Sequence, residues 1–373
     1  MATFESYGFV PLEPPSVELA ASSTTVDEHR LLRFLDRDGS LLALRPDLTT
    51  AVARVVAQRY RDTAGVLRLA YFTSVFREER SMRGSEREYD QAGVELIGPS
   101  IAGGSPPVHP RSAGGAVADA EAIALLADAL CRCGLVTAEI DVGHAGFLAG
   151  FLEDLSADAR DDALARARAG DLLGLPNAEL VRKAVRHRGE LEPFLALRAE
   201  LPTSSARALD ELREVASLLM AAGVTLPVRY DLGLVAALPY YTGVVFQATA
   251  PGLGFVVASG GRYDGLLARF GADRPATGFG IAIPHLHQAL VAAGWRVDDA
   301  SPLVVLEGGA PGDALRAATA LRREGVAVSI GAVADSAGRA TLAVRVIDGA
   351  RVERDGHTLA VGELAAELRG ARR

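Results

Sequence analysis

At 373 residues the chain is long enough to bury a large core, and its length argues for two or three domains. Apolar residues make up 49% and charged residues 23%, an ordinary globular balance tilted towards Ala and Arg, with no run approaching a membrane span. The formal net charge of −8 leans against nucleic acid as the main partner, because phosphate contacts call for a basic surface.

The first residues, Met-Ala-Thr-Phe-Glu-Ser-Tyr-Gly, lack a basic region followed by an apolar core, so no secretory signal and a cytoplasmic location are expected. Over 4–18, Tyr7-Gly8-Phe9-Val10 and the prolines at 11, 14 and 15 suit a turn, a short strand and a loop opening a helix. Leucine-rich runs at 31–35 and 41–44 straddle Asp38-Gly39, a hairpin signal. Leu44-Arg45-Pro46-Asp47-Leu48-Thr49-Thr50 then leads into a helix whose apolar stripe includes Val52, Val55 and Val56. Taken alone, Asp47 and Thr49 read as helix caps.

A strand is predicted over 67–76, a polar loop with Arg83, Gly84 and Arg87 over 81–89, and a second strand over 89–98. Side chains alternate along a strand, so Gln91, Gly93 and Glu95 share one face. The Gly- and Pro-rich stretch 101–117, with His109, reads as a mobile surface loop. A helix over 119–133 carries a stripe of Ile123, Leu126 and Leu130. It ends at Cys131 and Cys133, read as reduced core cysteines rather than a zinc site. A strand over 138–143 precedes a helix opened by His144.

Residues 151–219 read as almost entirely helical, broken at Gly174, Pro176, Pro193 and Pro202. Within them Arg182, Lys183, Arg186, His187 and Arg188 form a basic cluster, expected on a solvated helix face. The chain is then organised around 230–286. Val244-Val245-Phe246 and Phe255-Val256-Val257, joined by Pro251-Gly252-Leu253-Gly254, predict an antiparallel hairpin. Tyr240 and Tyr241, with Arg262, Tyr263 and Asp264 after Gly260-Gly261, predict a lined polar pocket. Beyond Gly294, strands at 303–306, 326–330 and 341–346 alternate with helices at 314–323 and 360–368, a small α/β domain.

Leu238-Pro239-Tyr240-Tyr241-Thr242-Gly243-Val244-Val245-Phe246 and Ser259-Gly260-Gly261-Arg262-Tyr263-Asp264-Gly265-Leu266 resemble the two signature segments of the histidyl-tRNA synthetase family. Residues 276–286 resemble its third class II motif, and the strand–loop–strand of 67–98 its second. The resemblance implies an α+β fold: a class II synthetase-like antiparallel sheet flanked by helices over 1–290, a helical insertion at about 151–222, and a small α/β domain over 300–373.

It also implies a histidine site at Asp47, Thr49, Arg77, Gln91, Glu95, Tyr240, Tyr241, Gly261 and Tyr263. Arg77, Glu79 and Arg87 match positions that serve a nucleotide. The family's arginines at the first signature and the third motif are replaced here by Ala236 and His285, and Pro239 stands where an aspartate is usual. Two cations that would stabilise a pentavalent phosphate are therefore missing.

Leu-Arg-Pro-Asp and Tyr-Tyr-Thr-Gly look like the variants of a catalytically silent branch, the regulatory subunits of ATP phosphoribosyltransferase. The expectation is then a non-catalytic subunit without cofactor or metal. It would be a homodimer within a larger assembly with a short-form catalytic subunit, with L-histidine as effector. The alternative is an authentic histidyl-tRNA synthetase or another paralogue built on the same pocket.

Overall fold

The alternation predicted over 67–76 and 89–98 forms the longest hairpin of a nine-stranded sheet. A computed structural model describes residues 1–22, 28–78, 87–98, 115–168, 171, 178–185, 188–234, 240–296, 302–331 and 341–370. They form two units, Met1–Trp295 and Arg296–Arg373.

The first unit begins with α1 (Ala2–Ser6), β1 (Val10–Pro11), β2 (Val17–Leu19), β3 (Arg33–Leu35), β4 (Leu41–Leu44), α2 (Leu48–Arg59), β5 (Leu67–Phe76) and β6 (Glu88–Ile97). It continues with α3 (Gly115–Arg132), β7 (Glu139–His144), α4 (Ala145–Gly150), α5 (Ala157–Arg168), α6 (Ala178–Val185), β8 (Arg188–Gly189), α7 (Glu192–Leu195) and α8 (Thr203–Ala222). It closes with β9 (Val228–Asp231), β10 (Val244–Thr249), β11 (Ala258–Arg262), β12 (Ala276–Ala282) and α9 (Ile283–Ala292).

The large sheet runs β1-β5-β6-β12-β11-β10-β7-β9-β8, antiparallel except where β1 meets β5 and β7 meets β9. One face packs on α3, α8 and α9. There Ala92, Val94 and Leu96 of β6, Phe279 and Ile281 of β12, and Val244 and Phe246 of β10 meet Ile123, Leu126 and Leu130 of α3. The opposite face carries a smaller core, in which Leu48, Val52 and Val56 of α2 cover Leu69, Tyr71 and Ile97 beside Tyr240 and Tyr263. Leu48, Val52 and Val56 recur every four residues, so α2 buries one stripe.

Several local expectations are corrected. Residues 17–19 form a strand of a three-stranded sheet, β2-β4-β3, and not a helix start. Residues 115–117 open α3, so the helix begins four residues before the predicted Asp119; the rest of the Gly/Pro-rich stretch, including His109, lies outside the described residues. Phe255–Val257 precedes β11 instead of forming it, although Val257 N–H still bonds to Ala248 O.

In the insertion, Arg188 is not on a helix. It begins β8, which adds to the sheet edge and pairs Arg188 with Asp141. Pro193 sits in the first turn of α7, where its missing N–H is no loss, instead of breaking a helix. Gly174, Pro176, Arg186 and His187 lie outside the described residues. Cys133 is exposed instead of core.

The second unit comprises β13 (Leu303–Glu307), α10 (Pro311–Arg323), β14 (Val328–Ile330), β15 (Thr341–Val346), β16 (Arg351–Arg354), β17 (His357–Ala360) and α11 (Val361–Gly370). Its sheet order is β14-β13-β15-β16-β17. The β16–β17 hairpin was not predicted, yet Asp355-Gly356 signals it: both residues take positive φ (53° and 79°), as a two-residue hairpin turn demands. No described helix is long and apolar enough to cross a membrane.

A candidate ligand pocket on a glycine-paved sheet

Strand register builds the pocket. Across four strands Tyr71, Gly93, Gly280 and Ser259 stand in line, and one step along the same face Leu69, Glu95, Gly278, Gly261 and Val245 form a second row. Residues opposed in register share a face, so glycines occupy the middle of both rows and Glu95 stands among them. The space above the glycines is already taken. A Cβ on Gly278 would strike the Glu95 carboxylate and Val94 O; one on Gly280 would strike the Gln91 amide. On Gly261 it would sit 2.9 Å from the Tyr241 ring.

Glu95 is 1% exposed. Tyr263 donates its phenol to Oε2, and the Tyr71 hydroxyl lies 3.5 Å from Oε1 and 3.4 Å from Phe279 O. Burial pushes the Glu95 carboxyl up to about 8. Hydrogen bonds from Tyr263, Thr49 and Tyr71 resist the rise, and the nearby charge of Asp47 adds to it. Tyr240 packs on Tyr241 at 4.8 Å and meets Tyr263 edge-on at 5.8 Å. Burial also raises these phenols, so they stay neutral donors.

Asp47, 5% exposed, caps α2: its carboxylate accepts from Thr49 N–H (3.0 Å), Thr50 N–H (3.1 Å) and the Thr50 hydroxyl. The capping reading is therefore correct for Asp47 but not for Thr49, which lies within α2 and supplies one of the capped amides, and the same cap brings the Asp47 carboxylate to the pocket. Two residues back, the fully buried Arg45 holds the approach to α2 by donating to Ser74 O (2.8 Å), Pro14 O and Thr73 Oγ1 (2.5 Å). Arg77 donates to Pro46 O at 2.7 Å and lies over the Tyr89 ring, which sets it next to Asp47 in the chain's path.

The structure thus gathers Asp47, Thr49, Glu95, Tyr240, Tyr241, Gly261 and Tyr263. Gln91 lies on the same face over Gly280, its Oε1 buried without a hydrogen-bond partner among the described residues. Arg87 is not brought in: it is 65% exposed on its side chain and pairs with Glu78 at 2.6 Å. Glu79, Ala236 and Pro239 lie outside the described residues. His285, in the first turn of α9, donates from Nδ1 to Val256 O at 2.8 Å and stacks on Phe255 at 4.4 Å.

Arg262 departs from expectation. It does not share the pocket with Tyr263 but projects through the other face, where Asp119 receives it bidentately (3.0 and 2.9 Å). Successive residues of a strand point to opposite faces, so Arg-Tyr cannot line one cavity together. Tyr71 was missed, though its signal was available in the Tyr-Phe-Thr alternation opposite Gln91-Ala92-Gly93. The Gly278 and Gly280 floor was likewise legible as glycine at period two.

The chemical character is a shielded cluster of tyrosine rings around two carboxyl groups, suited to an amine or an imidazole N–H. The family model for histidyl-tRNA synthetase matches residues 1–286. An ATP phosphoribosyltransferase regulatory subunit of Moorella thermoacetica is 38% identical over 76% of this chain and 74% of its own. One of Rubrobacter xylanophilus is 37% identical over 88% of this chain and 78% of its own. A crystal structure from Bacillus halodurans, described as an ATP phosphoribosyltransferase regulatory subunit/histidyl-tRNA synthetase, superposes with a TM-score of 0.75 at 30% identity, over 90% of this chain and 87% of that one. A class II synthetase fold, a pocket floored by the signature segments and this set of relatives converge: the chain belongs to the family of ATP phosphoribosyltransferase regulatory subunits, a branch of the histidyl-tRNA synthetase fold.

Proposed function

We propose that this chain is a non-catalytic subunit that activates a short-form ATP phosphoribosyltransferase catalytic subunit in the first step of histidine biosynthesis, with L-histidine as its feedback effector. The observation that carries the effector assignment is the Glu95–Tyr263 pair, sealed from water beside Asp47. Two carboxyl groups under tyrosine rings complement an ammonium and an imidazole. In this reading Asp47 takes the amino group, Gln91 and Glu95 the imidazole or the amino group, Tyr241 and Tyr263 surround the ring, and Arg77 takes the carboxylate. Ala236 and His285, in place of the family's arginines, support a binding role over bond-making, because a lost preorganised cation costs roughly 10²–10³ in rate.

Regulation then comes from a difference in histidine affinity between active and inactive arrangements of the complex, since equal affinity shifts nothing. We place the assembly in the cytoplasm, with this chain as a homodimer. In support of self-association, Val17, Leu19 and Phe34 share one face of the small β2-β4-β3 sheet and remain exposed.

The test is phosphoribosyl-ATP formation by the short catalytic subunit with and without this chain, across histidine concentrations. Activation reversed by histidine is the expected result. Activation indifferent to histidine would retire the effector and keep the activator. No activation, with histidine charging of tRNA instead, would reverse the reading.

A further inference from the structure

We propose that Arg262 is a positioning residue that couples the ligand pocket to helix α3 through the thickness of the sheet. The proposal rests on the effector reading only for the identity of the pocket's ligand. Tyr263 faces the pocket and Arg262, its neighbour, faces α3, so the two side chains share one short stretch of backbone between opposite faces.

That stretch is pinned from several sides. Arg262 donates to both oxygens of Asp119 and, at 2.9 Å, to Gly115 O at the start of α3. It also donates to Asp264 Oδ1 at 3.1 Å, and the same oxygen accepts from Ala276 N–H at 3.0 Å, where β12 begins. Asp264 N–H bonds to Thr242 Oγ1 (3.1 Å), Thr242 N–H to Arg262 O (2.8 Å), and Tyr263 N–H to Ala276 O (2.8 Å). The clamp therefore also holds the residue following Tyr241. Gly243 has no side chain because Arg262 passes over it: a Cβ there would lie 2.8 Å from the Arg262 Cδ.

Both members of the ion pair are buried, Asp119 at 2% and Arg262 at 8% exposure. A buried bidentate pair tolerates little displacement, because loss of one partner strands a charge. Movement of the α3 N-terminus must therefore carry Arg262, and with it the Tyr263 phenol that meets Glu95. In reverse, a ligand that pulls on Glu95 and Tyr263 biases α3, the helix packed against α8 on the far side of the sheet. Linkage makes the two directions equal in size. This gives the pocket a physical outlet to the opposite surface of the unit without any ligand contact there.

The decisive experiment replaces Asp119→Asn, which keeps shape and removes the charge, and compares it with wild type by amide hydrogen exchange and histidine calorimetry. The expected result is faster exchange in peptides covering 115–119, 240–243 and 261–264 and not across the rest of the unit, and roughly tenfold weaker histidine binding. Combining it with Tyr263→Phe should weaken binding no further than Tyr263→Phe alone. Unchanged exchange at 261–264, exchange raised evenly over the whole unit, or additive effects of the two substitutions would each overturn the coupling. If Asp119→Asn does not fold, Asp264→Asn loosens the same clamp from its exposed side, and the same exchange pattern decides. Should wild type bind no histidine, the effector reading falls while the exchange comparison still judges the clamp.

Discussion

Tyr263 donates its phenolic hydrogen to Glu95 where both side chains are almost fully closed to solvent. Tyr263→Phe removes that donor and nothing else of size. A buried acceptor left unsatisfied costs about 1–3 kcal/mol, and more when it is charged. Urea unfolding should show that loss, larger at pH 9 than at pH 6, because the carboxylate needs its donor more than the acid does. Identical unfolding curves for variant and wild type would remove this bond from the account of stability.

Glu95 also sets a pH dependence. Its carboxyl titrates near 4.5 when unfolded and is pushed up to about 8 by burial in the folded protein. Between these values the folded state holds a proton that the unfolded state has released, so stability falls as pH rises through this window. The contribution is fully present below about 4.5 and gone above about 8. Glu95→Gln should flatten the slope of unfolding free energy against pH between 5 and 8, leaving whatever other groups contribute. A slope unaltered by the substitution would place the titration elsewhere.

Asp47 has two separable duties. Asp47→Ala discards the α2 cap and should cost about 0.5–2 kcal/mol in thermal or urea unfolding. Asp47→Asn keeps an acceptor for only one of the two amides, because Thr49 N–H and Thr50 N–H bond different carboxylate oxygens, and so should cost less than Asp47→Ala. It should nevertheless bind histidine at least tenfold more weakly, since an ion-paired contact becomes a neutral one. Equal calorimetric affinity for Asp47→Asn and wild type would leave Asp47 a cap and nothing more.

Gly278→Ala pushes a methyl into the Glu95 carboxylate and the Val94 carbonyl. The sheet backbone cannot yield at a strand flanked on both sides, so destabilisation of at least about 1–3 kcal/mol is expected, with histidine binding lost. Gly254→Ala is the matched control, because a Cβ there meets nothing within 4 Å. Comparable melting temperatures for the two variants would show the floor to be less tight than drawn.

The elements that were legible in the sequence are those whose period is unambiguous. Strand 67–76 was read to its ends, and α2 and α10 announced themselves by apolar stripes. The pocket set was legible because Asp47, Glu95 and Tyr263 lie in dense local motifs. What escaped depends on distant partners. Arg188 looked like part of a basic helix, but its place is decided by Asp141, forty-seven residues away. Strand alternation alone turns Arg262 away from Tyr263, but that its partner there is Asp119, on another element, is not legible locally. The start of α3 at Gly115 was hidden because glycine and alanine there carry no stripe, and the helix is held by packing instead of propensity.

The glycine floor separates the durability of the cavity from the identity of what surrounds it. Its shape is made of main chain locked into paired strands, so a side chain added at Gly93, Gly278 or Gly280 costs stability together with affinity. Drift at the rim, where Gln91 and Arg77 stand, changes the ligand while the container persists. A lineage can therefore trade one chemistry for another by exchanging a few side chains around an unaltered hollow. In a saturation scan the floor should appear as a narrow line of intolerance crossing the sheet, bordered by positions free to vary.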